Sequence, residues 1–267
     1  MRGFLDIYRA LFRTQLAVEM QYRASLVIWL IGAFLEPVIY LTVWGVVAQS
    51  SGGEVDGFTR ADFAAYFIVV MLVNHFTFSW IMWEYEYYIR QGLLSPLLLR
   101  PLHPIHRDLA DNLAYKLLTM VIVTPVTVIL WLLFRPALST TPWAALAFVP
   151  AVVLGFALRF LFEWTLAMSA FWTTRINAIN QTYFVTLLFL SGRIAPLDIL
   201  PPIIQSIAAV LPFRWMLAFP VELLLGRLTP RDIAVGFAVQ AAWTIVALVL
   251  LRLVWRAGVR RYSGVGA

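Results

Sequence analysis

An all-α polytopic membrane protein is the fold class this sequence predicts, and three observations predict it. Charged residues make up 13% of the 267 positions and hydrophobic ones 62%, where a soluble domain carries roughly 25% charged residues. Mean hydropathy is +0.83. Apolar runs close to the roughly 20 residues needed to cross a hydrocarbon core recur along the whole chain. Most of the surface is therefore built to face lipid. Cysteine is absent, which excludes a disulfide framework, a thiolate metal site and a cysteine nucleophile. The net charge of +6 comes from arginines at the ends of apolar runs. That placement reads as membrane orientation rather than as a nucleic-acid footprint.

The chain reads as one transmembrane domain, 1–267, with no second domain, low-complexity tail or internal repeat. It opens with MRGFLDIYRALFRTQLAVEM. Phe4, Leu5, Tyr8, Leu11, Phe12 and Leu16 share one helical face, and Arg2, Asp6, Arg9 and Arg13 share the other. An apolar stripe with a mostly cationic back predicts an interfacial helix over 1–24, lying in the headgroup plane. No unbroken apolar core of a secretory signal occurs there, so this segment is expected to stay in the mature protein.

Six spans are predicted, at about 25–48, 61–83, 113–134, 143–170, 178–192 and 233–255. Between the last two the pattern breaks into half-length apolar pieces, IIQSIAAVL and WMLAFPVELLL, bracketed by Pro196, Pro201, Pro202, Pro212 and Pro220. Pieces of 9–11 residues are too short to cross as helices, and irregular backbone at that depth needs shelter from protein or a wet cavity. The segment 193–231 is accordingly predicted to be a re-entrant hairpin on the outer side.

Arginine placement sets the orientation. With both termini cytoplasmic, the inner segments 1–24, 84–112, 171–178 and 256–267 hold 11 arginines, and the outer segments 49–60, 135–142 and 193–231 hold 6. Lys116 and Arg252 near inner helix ends add to this bias. Trp80, Trp83, Tyr85, Tyr87, Tyr88, Trp172 and Trp255 then form an inner aromatic belt, with Trp131 and Trp143 marking the outer one.

The longest inner segment, 84–112, contains IRQGLLSPLLLRPLHPIHRDLA. Gly92 is expected to cap a short helix whose first N–H groups need no intrahelical partner, so that Pro96 removes only a spare donor. Pro101 disfavours helix at Arg100 and ends it. About two turns result, bearing Leu93, Leu94, Leu97 and Leu98, apolar side chains that the cytoplasm should not see. Asp108 begins the next helix, where the dipole favours an anion. Such a rigid, leucine-faced, arginine-edged element suits a groove on another protein. The plain alternative is a loop packed on the chain's own inner helices.

This segment resembles the coupling helix between the second and third spans of type-two ATP-binding-cassette exporter permeases: a glycine, a leucine-rich turn, a proline and a polar lead-in. A second stretch, LFLSGRIAPLDILPPIIQSIAAVLPFRWMLAFPVELLLG, is similar to that family's fifth span and re-entrant hairpin, with Gly192, Pro196, Pro201, Pro212 and Phe213 in the pattern's positions. The ending VRRYSGVGA resembles a six-span branch commonly encoded beside an ATPase subunit. Where many relatives carry an acidic residue after the coupling glycine, this chain has Leu94, Ser95 and Pro96. The resemblance implies an exporter subunit of the bacterial plasma membrane that moves a hydrophobic or amphipathic substrate. It implies two paired permeases, identical or sibling, each presenting Gly92, Leu93, Leu94, Leu97, Leu98, Arg100 and Pro101 to a separate ATPase subunit. ATP and magnesium would be bound by that partner, since this chain has no GxxxxGK[ST] loop. No cofactor of its own, no enzymatic activity and no nucleic-acid partner are expected. Membrane lipids are.

Charges inside a membrane are costly and are functional suspects by default. Arg159 and Glu163 lie four apart on the fourth span and can pair, either structurally or within a pathway. Glu36, followed by Pro37, sits midway along the first span, where it either faces a subunit seam or is protonated. Asn74 and His75 fall mid-span on the second helix, the histidine read as hydrogen-bonded structure. Asn177, Asn180 and Gln181 open the fifth span as interhelical glue. Glu222 is read as a partly solvated carboxylate of the hairpin.

Two other classes compete. A membrane enzyme would use His103, His106, Asp108 and Asp111, but no HExxH helix, zinc-like spacing or GxSxG turn appears. A secondary transporter or channel would show paired interrupted helices, whereas only 193–226 is interrupted.

Overall fold

The computed structural model describes residues 2–21, 23–173 and 176–262. Arg175 and the last five residues of VRRYSGVGA lie outside that description, as do the side chains of Arg2 and Phe4. Helix α1 (Arg2–Gln21) runs along the third long helix, and α2 (Arg23–Ser50) packs on α3 (Arg60–Thr77). A two-residue hairpin, β1 (Glu54–Val55) and β2 (Phe58–Thr59), joins α2 to α3. Its Asp56-Gly57 turn has positive φ at both residues, the geometry that matches strand twist in tight hairpins. The following helices are α4 (Ile81–Arg90), α5 (Ser95–Leu98), α6 (Ile105–Phe134) and α7 (Pro142–Ala167). A 3-10 turn, Met168–Phe171, extends α7. The chain continues through α8 (Asn177–Leu190), a 3-10 turn Leu197–Ile199, α9 (Pro202–Val210), α10 (Pro212–Met216), α11 (Ala218–Leu224) and α12 (Pro230–Arg261).

Local sequence explains the starts of the long helices. Thr59 accepts from the Asp62 amide while Asp62 accepts from the Thr59 amide, and Thr229 and Asp232 repeat this capping box on α12. Each box satisfies two amides that a helix start otherwise leaves unpaired. Thr141 caps α7, and Pro142 and Pro230 occupy first-turn positions where a missing N–H costs nothing.

Helix α7 is the hub: α3, α4, α10, α11 and α12 all pack against it. Contact with α10 is close because residue 155 is glycine; a Cβ there would stand 2.8 Å from the Met216 carbonyl oxygen. The segment expected to form a re-entrant hairpin holds three short helices between α8 and α12. Its second half, α10 and α11, is buried against α7 rather than spread over the surface. Pro220 sits at the third residue of α11, where its absent donor is again spare.

Among the described residues four helical stretches are long and apolar enough to cross a membrane: Arg60–Arg90, Ile105–Phe134, Pro142–Phe171 and Pro230–Arg261. They correspond to the second, third, fourth and sixth predicted spans. The first corresponds to α2, apolar over Phe34–Ser50, and the fifth to α8, whose 14 residues reach about 21 Å.

Three expectations need correction. The second span is not one helix: Phe78, Ser79 and Trp80 interrupt it, with Phe78 extended at ψ 146°. Lys116 is not an interfacial charge, since it is 6% exposed within α6. Tyr85 leaves the aromatic belt and is wholly buried, whereas Trp83, Tyr87, Trp172, Trp131 and Trp143 are exposed as a belt requires.

Candidate functional site

Helix α4 ends at Gln91, and Gly92 follows at φ +70°. That left-handed turn is the usual glycine role at a helix C-terminus, so Gly92 closes α4 rather than opening the short helix. The short helix is one turn, Ser95–Leu98, and not two; Pro96 occupies its second position. Leu94 is fully buried and Leu97 is 8% exposed, both within the core that contains Tyr85, Trp164 and Phe171. Leu98 packs partly against the same core. The expected outward face of four leucines is therefore divided. Leu94 and Leu97 anchor the turn, because the chain reverses at Gly92 and folds them under α4 and α7. Leu93, Leu99, Arg100 and Pro101 face outward, with Leu99 87% exposed. Leu99 carried no signal of its own in a run of leucines. The Ser95 hydroxyl also meets the Tyr262 hydroxyl at 2.8 Å, tying the turn to the end of α12.

Behind this turn the base of α6 is held by polar contacts to three other helices. Asp108, 3% exposed, accepts from the Tyr85 hydroxyl at 2.7 Å and from Trp164 Nε1 at 2.9 Å. Gln15 of α1 donates to Asp111 at 2.6 Å, and the Tyr8 hydroxyl meets His106 Nδ1. The His103 ring lies between Trp164 and Trp255, at centroid distances of 5.4 and 4.5 Å, and burial lowers its pKa, with His106 adding to the effect. The four residues considered as metal ligands are thus directed to different neighbours. Among the described residues no group of three or more histidines and carboxylates converges.

Deeper in the helices, the interruption at 78–80 is the centre of a buried polar network. Arg159 and Glu163, both wholly buried, pair at 2.8 Å as the four-residue spacing predicted. Arg159 Nη1 donates to Asn74 Oδ1 at 2.9 Å and to Thr77 Oγ1 at 3.1 Å, and its guanidinium lies over the Phe78 ring. Glu163 also accepts from the Tyr183 hydroxyl at 2.9 Å and from the Ser79 hydroxyl. Lys116 Nζ donates to the Phe78 carbonyl at 2.7 Å, and His75 bonds Thr119 at 3.1 Å. Of these groups Lys116 takes up a carbonyl freed by the break, in line with the need for shelter of irregular backbone at membrane depth. Thr77, Ser79 and Tyr183 carried no sequence signal, since small hydroxyls and tyrosines are common in spans. Asn74 stands near the end of α3 rather than mid-span. Of the fifth-span amides only Asn180 is buried, donating to the Met82 carbonyl at 3.4 Å; Asn177 and Gln181 are exposed.

On the other side of Asn74 a cavity of about 260 Å³ opens between α2, α3 and α6. Phe34, Tyr40, Phe67, Phe78, Trp80 and Tyr115 line it, with Asn74 and His75 on one wall. Glu36 lies on the opposite side and pairs with Arg193, the side chains 32% and 23% exposed. A carboxylate midway along a span demands a cation, but nothing in the spacing singled out Arg193.

In the hairpin, Gly192 adopts φ +78° and its carbonyl accepts from the Tyr66 hydroxyl at 2.6 Å; a Cβ would clash with that hydroxyl. Pro196, Pro212 and Phe213 are buried and Pro201 is exposed. Glu222 is not solvated as expected: it is 5% exposed and pairs with Arg214 at 2.8 Å, because α11 is tucked under α7.

Residues 34–266 match the sequence profile of the family described as "ABC-2 family transporter protein". No curated protein and no solved structure gives a significant match. The profile covers well over half of the chain, and the long apolar helices are those of a multi-pass membrane protein. The chain belongs to the ABC-2 transporter family, as a membrane permease subunit that is not itself catalytic.

Proposed function

We propose that this chain is the six-span permease subunit of an ATP-driven exporter in the bacterial plasma membrane, with both termini cytoplasmic. It pairs with a second permease, either a copy of itself or a sibling, and a separate ATPase subunit binds ATP and magnesium. The substrate is hydrophobic or amphipathic, in keeping with the apolar and aromatic side chains that line its helices.

One observation carries this reading: the two-sidedness of the turn at 92–100. Leu93, Leu99 and Arg100 stand outward, while Leu94 and Leu97 sit in the core with Tyr85 and Trp164. A push on the outer side is delivered through packed side chains, and protein cores transmit strain because they are close-packed. It passes to α4, whose far end is the break at 78–80. The outer side is the docking surface for the ATPase, and the inner side is the lever.

The test is co-purification of the ATPase subunit from native membranes. Leu93→Asp with Leu99→Asp should reduce recovered ATPase by about tenfold, the size of a lost interface anchor, while membrane insertion and thermal unfolding stay as in the parent. Leu97→Asp should instead lower thermal stability, because it places a charge in the core. An undiminished ATPase yield from the outer double variant contradicts the docking assignment.

A further inference from the structure

We propose that the cavity between α2, α3 and α6 is a binding site for a lipophilic cation: an apolar body carrying one ammonium or similar positive group. The reading deepens the export function by naming the class of molecule that the permease takes up within one protomer.

Size, lining and charge argue for it. At about 260 Å³ the cavity falls just below the roughly 300–1,000 Å³ of drug-sized sites. It suits a compact body of up to three small rings rather than a whole phospholipid. Its wall is aromatic, with Tyr40, Phe78, Trp80 and Tyr115 among the lining residues. Ring faces carry negative quadrupole potential and attract a desolvated cation; aliphatic walls would have served an uncharged lipid chain equally well. The same wall holds the Glu36 carboxylate. That group is paired with Arg193, but both side chains keep partial exposure, so the pair is not sealed. Arg193 lies on the bend after α8, directly following Gly192 at φ +78°. An arriving cation takes the place of the guanidinium on Glu36, and the rings enclose its apolar body. Asn74, on the opposite wall, accepts from Arg159, so an occupant touches the network that holds the helix interruption.

Charge, not hydrophobicity, is what the experiment must isolate. The full chain in lipid nanodiscs, without any ATPase subunit, is titrated with radiolabelled methyltriphenylphosphonium and with its anionic isostere, methyltriphenylborate. The phosphonium is expected to bind at least about tenfold more tightly than the borate, a difference of about 1.4 kcal/mol. Glu36→Gln should weaken the phosphonium by about tenfold, within the range of one desolvated charge contact, and leave the borate unchanged. Tyr115→Leu, which alters the wall without touching the ion pair, should weaken it several-fold. Glu36→Asp should restore much of the binding. Equal or tighter binding of the borate overturns the proposal, as does unchanged phosphonium binding in a folded Glu36→Gln protein. Because no ATPase is present, a failure here leaves the docking reading standing, and a failure of docking leaves this one standing.

Discussion

Arg159 is hydrogen-bonded to Glu163, Asn74 and Thr77 at zero exposure. Nη2 has no hydrogen-bond partner, which leaves the network incompletely satisfied. Two buried charges are costly to desolvate, and removing one partner strands the other. Glu163→Gln should therefore destabilise the protein by about 3–5 kcal/mol. Glu163→Gln combined with Arg159→Met should recover a large part of that loss. Denaturant unfolding in micelles of Glu163→Gln, Arg159→Met and the double variant checks this. A double-variant cost equal to the sum of the two single costs would mean that the pair is not coupled. Asn74 and Ser79 add a consequence: one at the end of α3 and one within the break, they bond Arg159 and Glu163, so the network ties both to α7.

At the scale of elements, α1 is joined to α6 by Tyr8 with His106 and by Gln15 with Asp111. Partial burial, with a smaller contribution from Asp111, pushes the Glu19 carboxyl of α1 up to about 7. An acid whose pKa rises on docking binds its proton more tightly when docked. Docking is therefore strongest below the ordinary carboxylate range and weakens as pH climbs through about 7. Amide hydrogen exchange along α1 should accelerate from about pH 6 to about pH 8, and Glu19→Gln should flatten that response. A parent protein whose α1 exchange follows only the intrinsic chemical rate across that range contradicts the prediction. Much of this level was legible in the sequence. The amphipathic period of residues 1–24, the long apolar runs and the proline-bracketed hairpin each declare a period or a length. The division of span two was not legible, because residues 61–83 contain neither proline nor glycine to stop a helix. What stops the helix is contact made from distant helices by Lys116, Arg159 and Glu163. The short helix at 95–98 was legible in place but not in facing. Periodicity assigns a leucine to a side of its own helix, and the Gly92 reversal decides which side meets the core.

For the molecule as a whole, α7 gathers the second half of the hairpin, α3, α4 and α12 around itself, so that these elements share one scaffold. The turn at 92–100 is proposed as the inner end of the molecule, and the Gly192 bend as the start of the outer hairpin. Arginine counts supply that orientation as an expectation, and Lys116, used as part of the same bias, is buried within α6. The pairing of Glu36 with Arg193 was beyond sequence, since it joins two distant parts of the chain and depends on where α8 ends. Because the chain contains no cysteine, one introduced thiol reports its own surroundings alone. The most direct measurement is labelling of Arg100→Cys with a membrane-impermeant maleimide, in intact cells and in inside-out vesicles with and without the ATPase subunit. The thiol should stay unlabelled in intact cells, react in stripped vesicles, and slow several-fold once the ATPase is restored. Labelling from the outside of intact cells, or a vesicle rate indifferent to the ATPase, would contradict the assignment of this turn as the place where the motor attaches.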